Sequence, residues 1–249
     1  MYIINTIRMR YLYTGFRDAY FCSKKVGFSR RYFNSVTVLN KNMKLIIRSI
    51  SLFFLLVVSA AATAADSTYA NRIETKYKAA VSRLKVKASS LDTYLKANNF
   101  NEELVFLVDM SIPSGKNRFF VYNIKKDAVD ASSLVSHGVG SNKYENDDPL
   151  KFSNLPDSKM TSEGKYKIGA SYFGKFGLAY KLHGLENTND RAFERAVVLH
   201  AHKMVPETEV FPEYIIVSQG CPTVSTGFLS TLDKYIKGSK KPIMLWVYN

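Results

Sequence analysis

Cys221 lies in the segment Ser218-Gln219-Gly220-Cys221-Pro222, between an apolar run and a proline. Gly220 permits a tight backbone turn and the close approach of another molecule. Such a turn can direct the backbone amides of Gly220 and Cys221 towards one point, as an oxyanion hole requires. The segment is typical of a nucleophile turn, and the alternative is a plain turn that carries a small apolar thiol.

His200 follows the apolar run at 196–199. A cysteine and a distant histidine form the minimal nucleophile–base pair, although their spacing in sequence does not show that they meet in space. A strand would place His202 on the same face as His200. Two histidines and a cysteine can bind zinc, but no carboxylate or third histidine has ligand spacing, so we expect no metal. His137 and His183 are interpreted as hydrogen-bonded polar groups, and His137 also precedes a loop that can line a cleft.

Residues 43–65 have the three parts of a secretory signal: a short basic start, the apolar run at 52–58, and the cleavage pattern Ala62-Thr63-Ala64. The apolar run is shorter than the roughly 20 residues that span a bilayer, which favours cleavage over a membrane anchor. Signals begin at the N-terminus, so we expect translation to start at Met43 and residues 1–42 to be a misassigned start. A genuine basic extension is the alternative.

Removal of the signal would leave Cys221 as the one cysteine, because Cys22 lies upstream. A lone thiol in an oxidising compartment cannot form an internal disulfide, so it is either buried and inert or reactive. The net charge of +14 suggests a nucleic-acid binder at first, but residues 1–65 carry +9 of it. The remainder suits an acidic polymer or an ordinary surface, and we expect no nucleic-acid partner and no membrane span after cleavage.

The elements that must position these residues are mainly strands. Apolar spacing predicts helices over 68–85 and 88–98, which form a helical lead at 66–102 that either packs on the next domain or acts as a spacer, with packing preferred. A mainly β domain follows at 103–249, with long loops at 138–164 and a helix that Ser225 or Thr226 can cap. Strands are predicted at 104–108, 118–123, 132–137, 166–170, 178–183, 196–201, 214–218 and 243–248.

Six sequence fragments carry a resemblance to a known family. They occur in order, as Ser136-His137-Gly138-Val139-Gly140-Ser141, Phe152-Ser153-Asn154, Thr161-Ser162-Glu163-Gly164-Lys165-Tyr166, Tyr172-Phe173-Gly174-Lys175-Phe176-Gly177-Leu178, Gly184-Leu185-Glu186 with Asn189-Asp190-Arg191, and Val197-Val198-Leu199-His200-Ala201 with the Cys221 segment. Together they resemble the murein L,D-transpeptidase catalytic-domain family (YkuD-like) over about 103–249.

The resemblance implies a β-sandwich-like catalytic domain with flanking helices and no cofactor. It implies that Cys221 is the nucleophile, that His200 is the base, and that Ser218 and Gly220 support them. Substrate contacts are expected at His137, Gly138, Ser141, Thr161, Ser162, Gly164, Tyr172 and Gln219. Tyr172, Phe173 and Tyr180 can line the cleft or belong to the core, with the core preferred.

The implied reaction is acyl transfer on peptidoglycan tetrapeptide stems in the periplasm or cell envelope, through a thioacyl enzyme that forms 3–3 crosslinks. Water as acceptor would make the protein an L,D-carboxypeptidase, and loss of catalysis would leave a peptidoglycan-binding protein. Gln219 stands where better-known members often have histidine, and Pro222-Thr223 replaces an apolar residue followed by Asn or Arg. These departures concern substrate placement more than the nucleophile.

Overall fold

The computed structural model describes residues 43, 46, 48–50, 53, 68–142 and 149–249. The chain divides into two compact units, 1–63 and 64–249. Six residues of the first unit are described, and they are helical and exposed. The signal predicted at 43–65 lies largely outside the described residues, and the extension at 1–42 lies entirely outside them. Within the described part of the chain, no helix has both the length and the apolar character to cross a bilayer.

A mixed sheet of eight strands forms the centre of the second unit, in the order β3-β2-β1-β8-β4-β5-β6-β7. The strands are β1 (Leu104–Asp109), β2 (Phe119–Asn123), β3 (Ala128–Ser133), β4 (Gly164–Gly174), β5 (Gly177–Gly184), β6 (Val198–Ala201), β7 (Thr223–Val224) and β8 (Met244–Tyr248). The pairs β1–β8 and β6–β7 are parallel, and the other neighbours are antiparallel. The expected class, mainly β with flanking helices, is confirmed.

Both faces of the sheet are covered, which explains why β1 is apolar at every position from Leu104 to Val108. Side chains alternate between the two faces of a strand. Phe106 and Val108 accordingly belong to one core cluster, whereas Val105 and Leu107 belong to another. A strand buried on both faces shows a continuous apolar run instead of alternation.

Three helices cover these faces: α1 (68–89), α2 (Asp92–Ala97) and α3 (Thr226–Gly238). Leu84 of α1 and Leu95 of α2 pack in the cluster that contains Val105, so the helical lead lies on the sheet. Phe228 of α3 packs in the cluster that contains Phe106. The predicted cap of α3 is confirmed, because the Ser225 side chain accepts a hydrogen bond from the Phe228 amide.

Two of the predicted strands are wrong. The third strand is not at 132–137 but at Ala128–Ser133, where an exposed edge strand pairs with β2 through a bulge. Its apolar successors, including Leu134, are buried outside any ladder. Residues 214–217 form no strand, and Ser218 makes a single bridge to Gly138. Ile215 is apolar because it packs in a small cluster with Leu134 and not because it pairs in the sheet.

Candidate active site

The parallel pair β6–β7 brings the Cys221 turn beside the strand that carries His200. His200 lies opposite Thr223 in this register. Cys221 is two residues before Thr223, so the turn enters β7 next to the start of β6. The distance of 21 positions in sequence is thus closed by one short strand pair, as a nucleophile and base in the same site require.

Ser218 holds the Cys221 turn in place through hydrogen bonds to residues on both sides of it. Its amide donates to the carbonyl of His137 at 2.8 Å. Its hydroxyl lies 2.7 Å from the Cys221 carbonyl and 3.2 Å from that of His137, and it accepts from the Gly220 amide at 3.0 Å. A hydroxyl has one proton to donate, and the shorter contact identifies the Cys221 carbonyl as its acceptor. Ser218 therefore supports the backbone on both sides of Cys221 and has a positioning role.

Gly220 is required by its backbone conformation, since its φ of +118° lies in a region that side chains disfavour. A Cβ there would also lie 2.9 Å from the Met160 carbonyl. The expected oxyanion hole needs a correction, however. The Gly220 amide already donates to Ser218 Oγ. The backbone hydrogen bonds of the described residues include none from the Cys221 amide, so it is the amide of this turn that can donate to an oxyanion.

The Cys221 thiol is half-buried and lies beside the residues that precede β6. Sγ is 3.8 Å from the Ala196 carbonyl. Burial raises the pKa of the thiol, whereas the Val198 amide and the Arg195 guanidinium lower it, with burial the largest effect. The resting group is therefore a protonated thiol at neutral pH, and it needs a base to become a nucleophile.

His200 is buried and held on both ring nitrogens. Nδ1 lies 3.0 Å from the Ala201 carbonyl, and Nε2 lies 3.0 Å from Thr223 Oγ1. Because a carbonyl only accepts, Nδ1 carries the proton, and the unprotonated Nε2 accepts from the Thr223 hydroxyl. Burial lowers the pKa of His200. The imidazole is thus neutral at pH 7 and available as a base.

Phe176 covers this imidazole from the turn between β4 and β5. The two rings stack with centroids 4.7 Å apart and an interplanar angle of 23°. Phe176 also approaches the ring of His202 at 6.4 Å, which places both histidines on the side of the hairpin. The hairpin therefore shields the His200 imidazole from water, although half of the Phe176 surface remains exposed.

Cys221 and His200 both lie close to Thr223. In the described part of the chain, no hydrogen bond joins Cys221 directly to His200. Thr223 Oγ1 lies 3.0 Å from His200 Nε2 and 3.3 Å from the Cys221 carbonyl. The thiol itself points to Ala196. Hydrogen bonds between a nucleophile and its base are often formed only in the substrate complex, so this geometry is compatible with a thiol–imidazole pair.

Arg195 connects the nucleophile turn to the long loop at 153–162. Its guanidinium donates to the carbonyls of Ser153 and Met160, both at 2.8 Å, and to Ser162 Oγ. It also approaches Ser158 Oγ at 3.3 Å. One side chain thus holds four points of the loop and places a positive charge near Cys221, where it favours the thiolate.

Several of the expected substrate residues form the supports of this loop. Gly138 donates to Thr161 Oγ1 at 2.9 Å, and the Thr161 amide donates to Ser141 Oγ at 3.0 Å. A Cβ on Gly138 would lie 2.9 Å from the Cα of Gly220. Gly138, Ser141 and Thr161 are all buried. The structure gives Gly138, Ser141 and Thr161 a role in packing the loop against the turn.

Ser162 and Gly164 are likewise structural. Ser162 Oγ donates to the Ser153 carbonyl at 2.9 Å, in addition to its bond with Arg195. Gly164 begins β4 with a φ of +126°, and a Cβ there would lie 2.6 Å from Asn189 Nδ2. Both residues are buried, so they hold the loop in position without being exposed to a ligand.

The remaining expected residues differ in exposure. Gln219 is exposed next to the turn, and Tyr172 is exposed on β4, so both are accessible to a substrate. Tyr180 belongs to the core, as preferred. Tyr172 and Phe173 were also expected in the core, but both are exposed. They lie where β4 and β5 extend beyond the other strands of the sheet. His137 is buried and lines a separate cavity.

Three residues of the site were not singled out from the sequence: Thr223, Phe176 and Arg195. Thr223 was noted only as a departure from the family pattern, and its contact with His200 follows from the pairing of β6 with β7. Phe176 and Arg195 act through contacts distant in sequence, which no local signal reveals. Among the described residues, no group of three or more histidine, cysteine and carboxylate side chains is arranged to hold a metal ion.

The sequence matches the family of the L,D-transpeptidase catalytic domain over residues 75–248. The matched region begins within α1. No match was found among curated protein sequences.

Similar solved structures have low identity to this chain. An L,D-transpeptidase from Xylanimonas cellulosilytica is 14% identical, with a TM-score of 0.33, over 58% of this chain and 60% of that chain. An L,D-transpeptidase from Mycobacterium smegmatis is 14% identical, with a TM-score of 0.35, over 59% of each chain. The helical cell shape determining protein Pgp2 from Campylobacter jejuni is 12% identical, with a TM-score of 0.39, over 61% of this chain and 49% of that chain.

The matched region thus spans less than two thirds of the length of each of these structures. The family match extends over more than half of the sequence, from α1 to the last residue of β8. This chain belongs to the L,D-transpeptidase catalytic-domain family.

Proposed function

We propose that this protein is a cysteine-dependent L,D-transpeptidase that acts on peptidoglycan tetrapeptide stems outside the cytoplasmic membrane. The observation that carries the proposal is the Cys221 turn, braced by Ser218 and entering β7 opposite the buried, neutral His200. The family match supports the reaction class. The signal-like segment at 43–65 supports export.

The first half of the reaction is acylation of the thiol. Cys221 Sγ attacks the carbonyl of the third stem residue while His200 takes the thiol proton. The Cys221 amide donates to the oxyanion that forms. Collapse of this intermediate breaks the bond to the terminal D-alanine, whose nitrogen receives the proton from His200. The products are free D-alanine and a thioacyl enzyme.

The second half transfers the acyl group. An amine from a neighbouring stem attacks the thioester, and the Cys221 sulfur leaves as the tetrahedral intermediate collapses. His200 takes a proton from the amine and the thiol recovers one, which restores the resting pair. The product is a 3–3 crosslink. Water in place of the amine would release a tripeptide stem.

Intact-mass analysis of the full chain after incubation with a disaccharide-tetrapeptide tests the proposal. The protein is compared with Cys221→Ala and Cys22→Ala, since the sequence contains two thiols. We expect a thioacyl adduct, mapped to the peptide that contains Cys221, together with release of D-alanine. Cys22→Ala retains both signals and Cys221→Ala loses both.

The soluble products separate the possible outcomes. A crosslinked dimer establishes acyl transfer, whereas a tripeptide stem without dimer identifies a carboxypeptidase and overturns the transferase assignment. Absence of adduct and of D-alanine release from a folded protein would overturn the enzymatic proposal. Retained sedimentation with purified peptidoglycan would then indicate a binding protein.

A further inference from the structure

A cavity of about 340 Å³ lies beside His137 and outside the nucleophile site. Its lining includes neither Cys221 nor His200. The polar part of the described lining includes the cationic side chains of Arg72, Lys76 and Arg118, together with His137 and Asn249. The volume falls within the range of about 300–1,000 Å³ that is typical of small-molecule sites.

Arg118 is a buried cation without an ion pair among the described residues. It is 1% exposed. Nε and Nη2 donate to the Val135 carbonyl, Nη1 donates to the Ile112 carbonyl, and Nη2 also donates to His137 Nδ1. Arg118 has five N–H groups, so one N–H of Nη1 remains unassigned. Asp109 favours its charge from a distance, but burial still lowers the pKa of Arg118 to about 9.

His137 supplies a second uncommitted donor. A guanidinium only donates, so Nδ1 of His137 must accept from Arg118, and the ring proton of the neutral imidazole lies on Nε2. The His137 side chain is buried, and Nε2 has no hydrogen-bond partner. Burial and the charge of Arg118 lower the pKa of the His137 ring to about 3, and the nearby Asn142 backbone opposes this shift, so the ring is neutral. A buried N–H without an acceptor is costly, so this group calls for one.

The charges of the lining also favour a ligand that carries a hydrogen-bond acceptor with negative charge. Arg72 and Lys76 add two cations from α1, one turn apart. Among the described lining residues, no side chain is a carboxylate, and the carboxyl group of Asn249 stands against three cationic side chains. Ile73, Met110, Ile112 and Leu150 make the rest of the wall apolar. A ligand that satisfies both parts bears an acceptor with negative charge on an apolar body.

We propose that this cavity binds a small carboxylate with an apolar body, whose oxygens accept from His137 Nε2 and Arg118 Nη1. Arg72 and Lys76 attract the carboxylate from the wall. The inference is independent of the acyl-transfer proposal, because it needs neither Cys221 nor His200. It does place a ligand next to the nucleophile turn, since the His137 carbonyl is the acceptor of the Ser218 amide.

Calorimetric titration of the full chain with benzoate, benzamide and inorganic phosphate tests this site. Benzamide has the shape of benzoate without the charge. We expect saturable binding of benzoate, no measurable binding of benzamide, and the same benzoate affinity in Cys221→Ala. In nitrogen-15 spectra of the histidine rings, benzoate should shift the Nε2–H signal of His137 and leave that of His183 in place.

Variants of α1 identify the site without disturbing the buried groups. Arg72→Gln and Lys76→Gln should each weaken benzoate binding by about two- to five-fold, as the loss of one exposed charge predicts. Lys78→Gln is the matched control, because Lys78 is exposed on the same helix and does not line the cavity. Its affinity should equal that of the unmodified protein.

Three outcomes would overturn the proposal. Equal binding of benzamide would show that the charge is irrelevant, and preferential binding of phosphate would show that the ligand class is wrong. Failure of benzoate to bind would show that the two donors and the cations of the wall do not form an anion site beside the carboxyl group of Asn249.

Discussion

At the scale of single residues, the site combines a thiol that resists ionisation with an imidazole that resists protonation. Burial raises the pKa of Cys221 and lowers the pKa of His200. Both shifts favour the uncharged forms. The two groups thus form a neutral pair and not a thiolate–imidazolium pair, which keeps the Cys221 thiol weakly reactive.

Alkylation of Cys221 by iodoacetamide should therefore require a high pH. Because the thiol pKa lies above its ordinary value of 9.0, the thiolate fraction at neutral pH should fall below that of a free cysteine. The rate measured by mass spectrometry should rise through a midpoint above pH 9.0. The unhindered thiol of N-acetylcysteine provides the control, and a midpoint below its own would contradict the neutral pair.

Thr223 is expected to position His200 during turnover. While Nε2 is unprotonated, the Thr223 hydroxyl donates to it; once Nε2 is protonated, the hydroxyl can accept instead and direct its proton to the Cys221 carbonyl. Thr223→Val keeps the shape and removes this hydrogen bond. Its kcat for D-alanine release should fall by about ten-fold, the equivalent of roughly 1.4 kcal/mol, with KM unchanged.

Thr223→Ser provides the matched control for this position, since it retains the hydroxyl. It should restore kcat to within about three-fold, because a net hydrogen-bond contribution is of the order of 1 kcal/mol. Thermal unfolding of both variants shows whether the fold persists. Equal kcat values for the valine and serine variants would remove the hydroxyl from the mechanism.

At the scale of elements, the hairpin β4–β5 acts on the imidazole of His200 through Phe176. Its ring covers the His200 imidazole, and burial is the largest cause of the lowered pKa of His200. Phe176→Ala should admit water and raise that pKa towards 6.5. Titration of the ring by NMR measures the shift directly, and the acidic limb of the activity profile should move to higher pH with it.

Phe173 offers the matched control on the same hairpin, because it is 85% exposed and makes no ring contact with His200 in the described structure. Phe173→Ala should leave the His200 titration unchanged. If both alanine variants shift the titration equally, a general change in the hairpin and not the stacked ring sets the pKa.

The sequence patterns correctly predicted elements that are regular and uniformly buried along their length. The apolar runs of β1 and β8 and the capped helix α3 were found because their environment is uniform along the element. The runs at 134–135 and 214–217 were misread, since their apolar side chains are buried in irregular backbone. Hydrophobicity reports burial and leaves the hydrogen-bond partner of the backbone unspecified.

The candidate site was predictable in the same limited sense. The types and surroundings of Cys221 and His200 pointed to a nucleophile and a base from sequence. The sequence did not reveal that the Gly220 amide is already used. Its direction depends on the position of Ser218 Oγ, which accepts its hydrogen bond. Thr223 and Arg195 meet the site through strand register and loop packing, which are properties of the folded chain.

At the scale of the whole molecule, the helices before β1 complete the catalytic domain. The sheet has an apolar face that contains Val105 and Leu107, and α1 and α2 are the elements that cover it. The family match also begins at residue 75, inside α1. The helical lead therefore contributes to the core on which β1 and β8 depend.

Leu84→Ala should consequently destabilise the entire domain and not α1 alone. Leu84 is 1% exposed in the cluster formed by α1, α2 and the sheet. Loss of a buried leucine side chain costs about 2–5 kcal/mol through lost transfer free energy and the cavity that remains. Urea denaturation followed by the fluorescence of Trp246 in β8 should show a lower midpoint with an unchanged slope.

Val86→Ala is the control on the same helix, since Val86 is 69% exposed and its truncation should change the free energy of unfolding by less than about 0.5 kcal/mol. An unchanged midpoint for Leu84→Ala, with loss of helical signal only, would mean that α1 unfolds independently of the sheet.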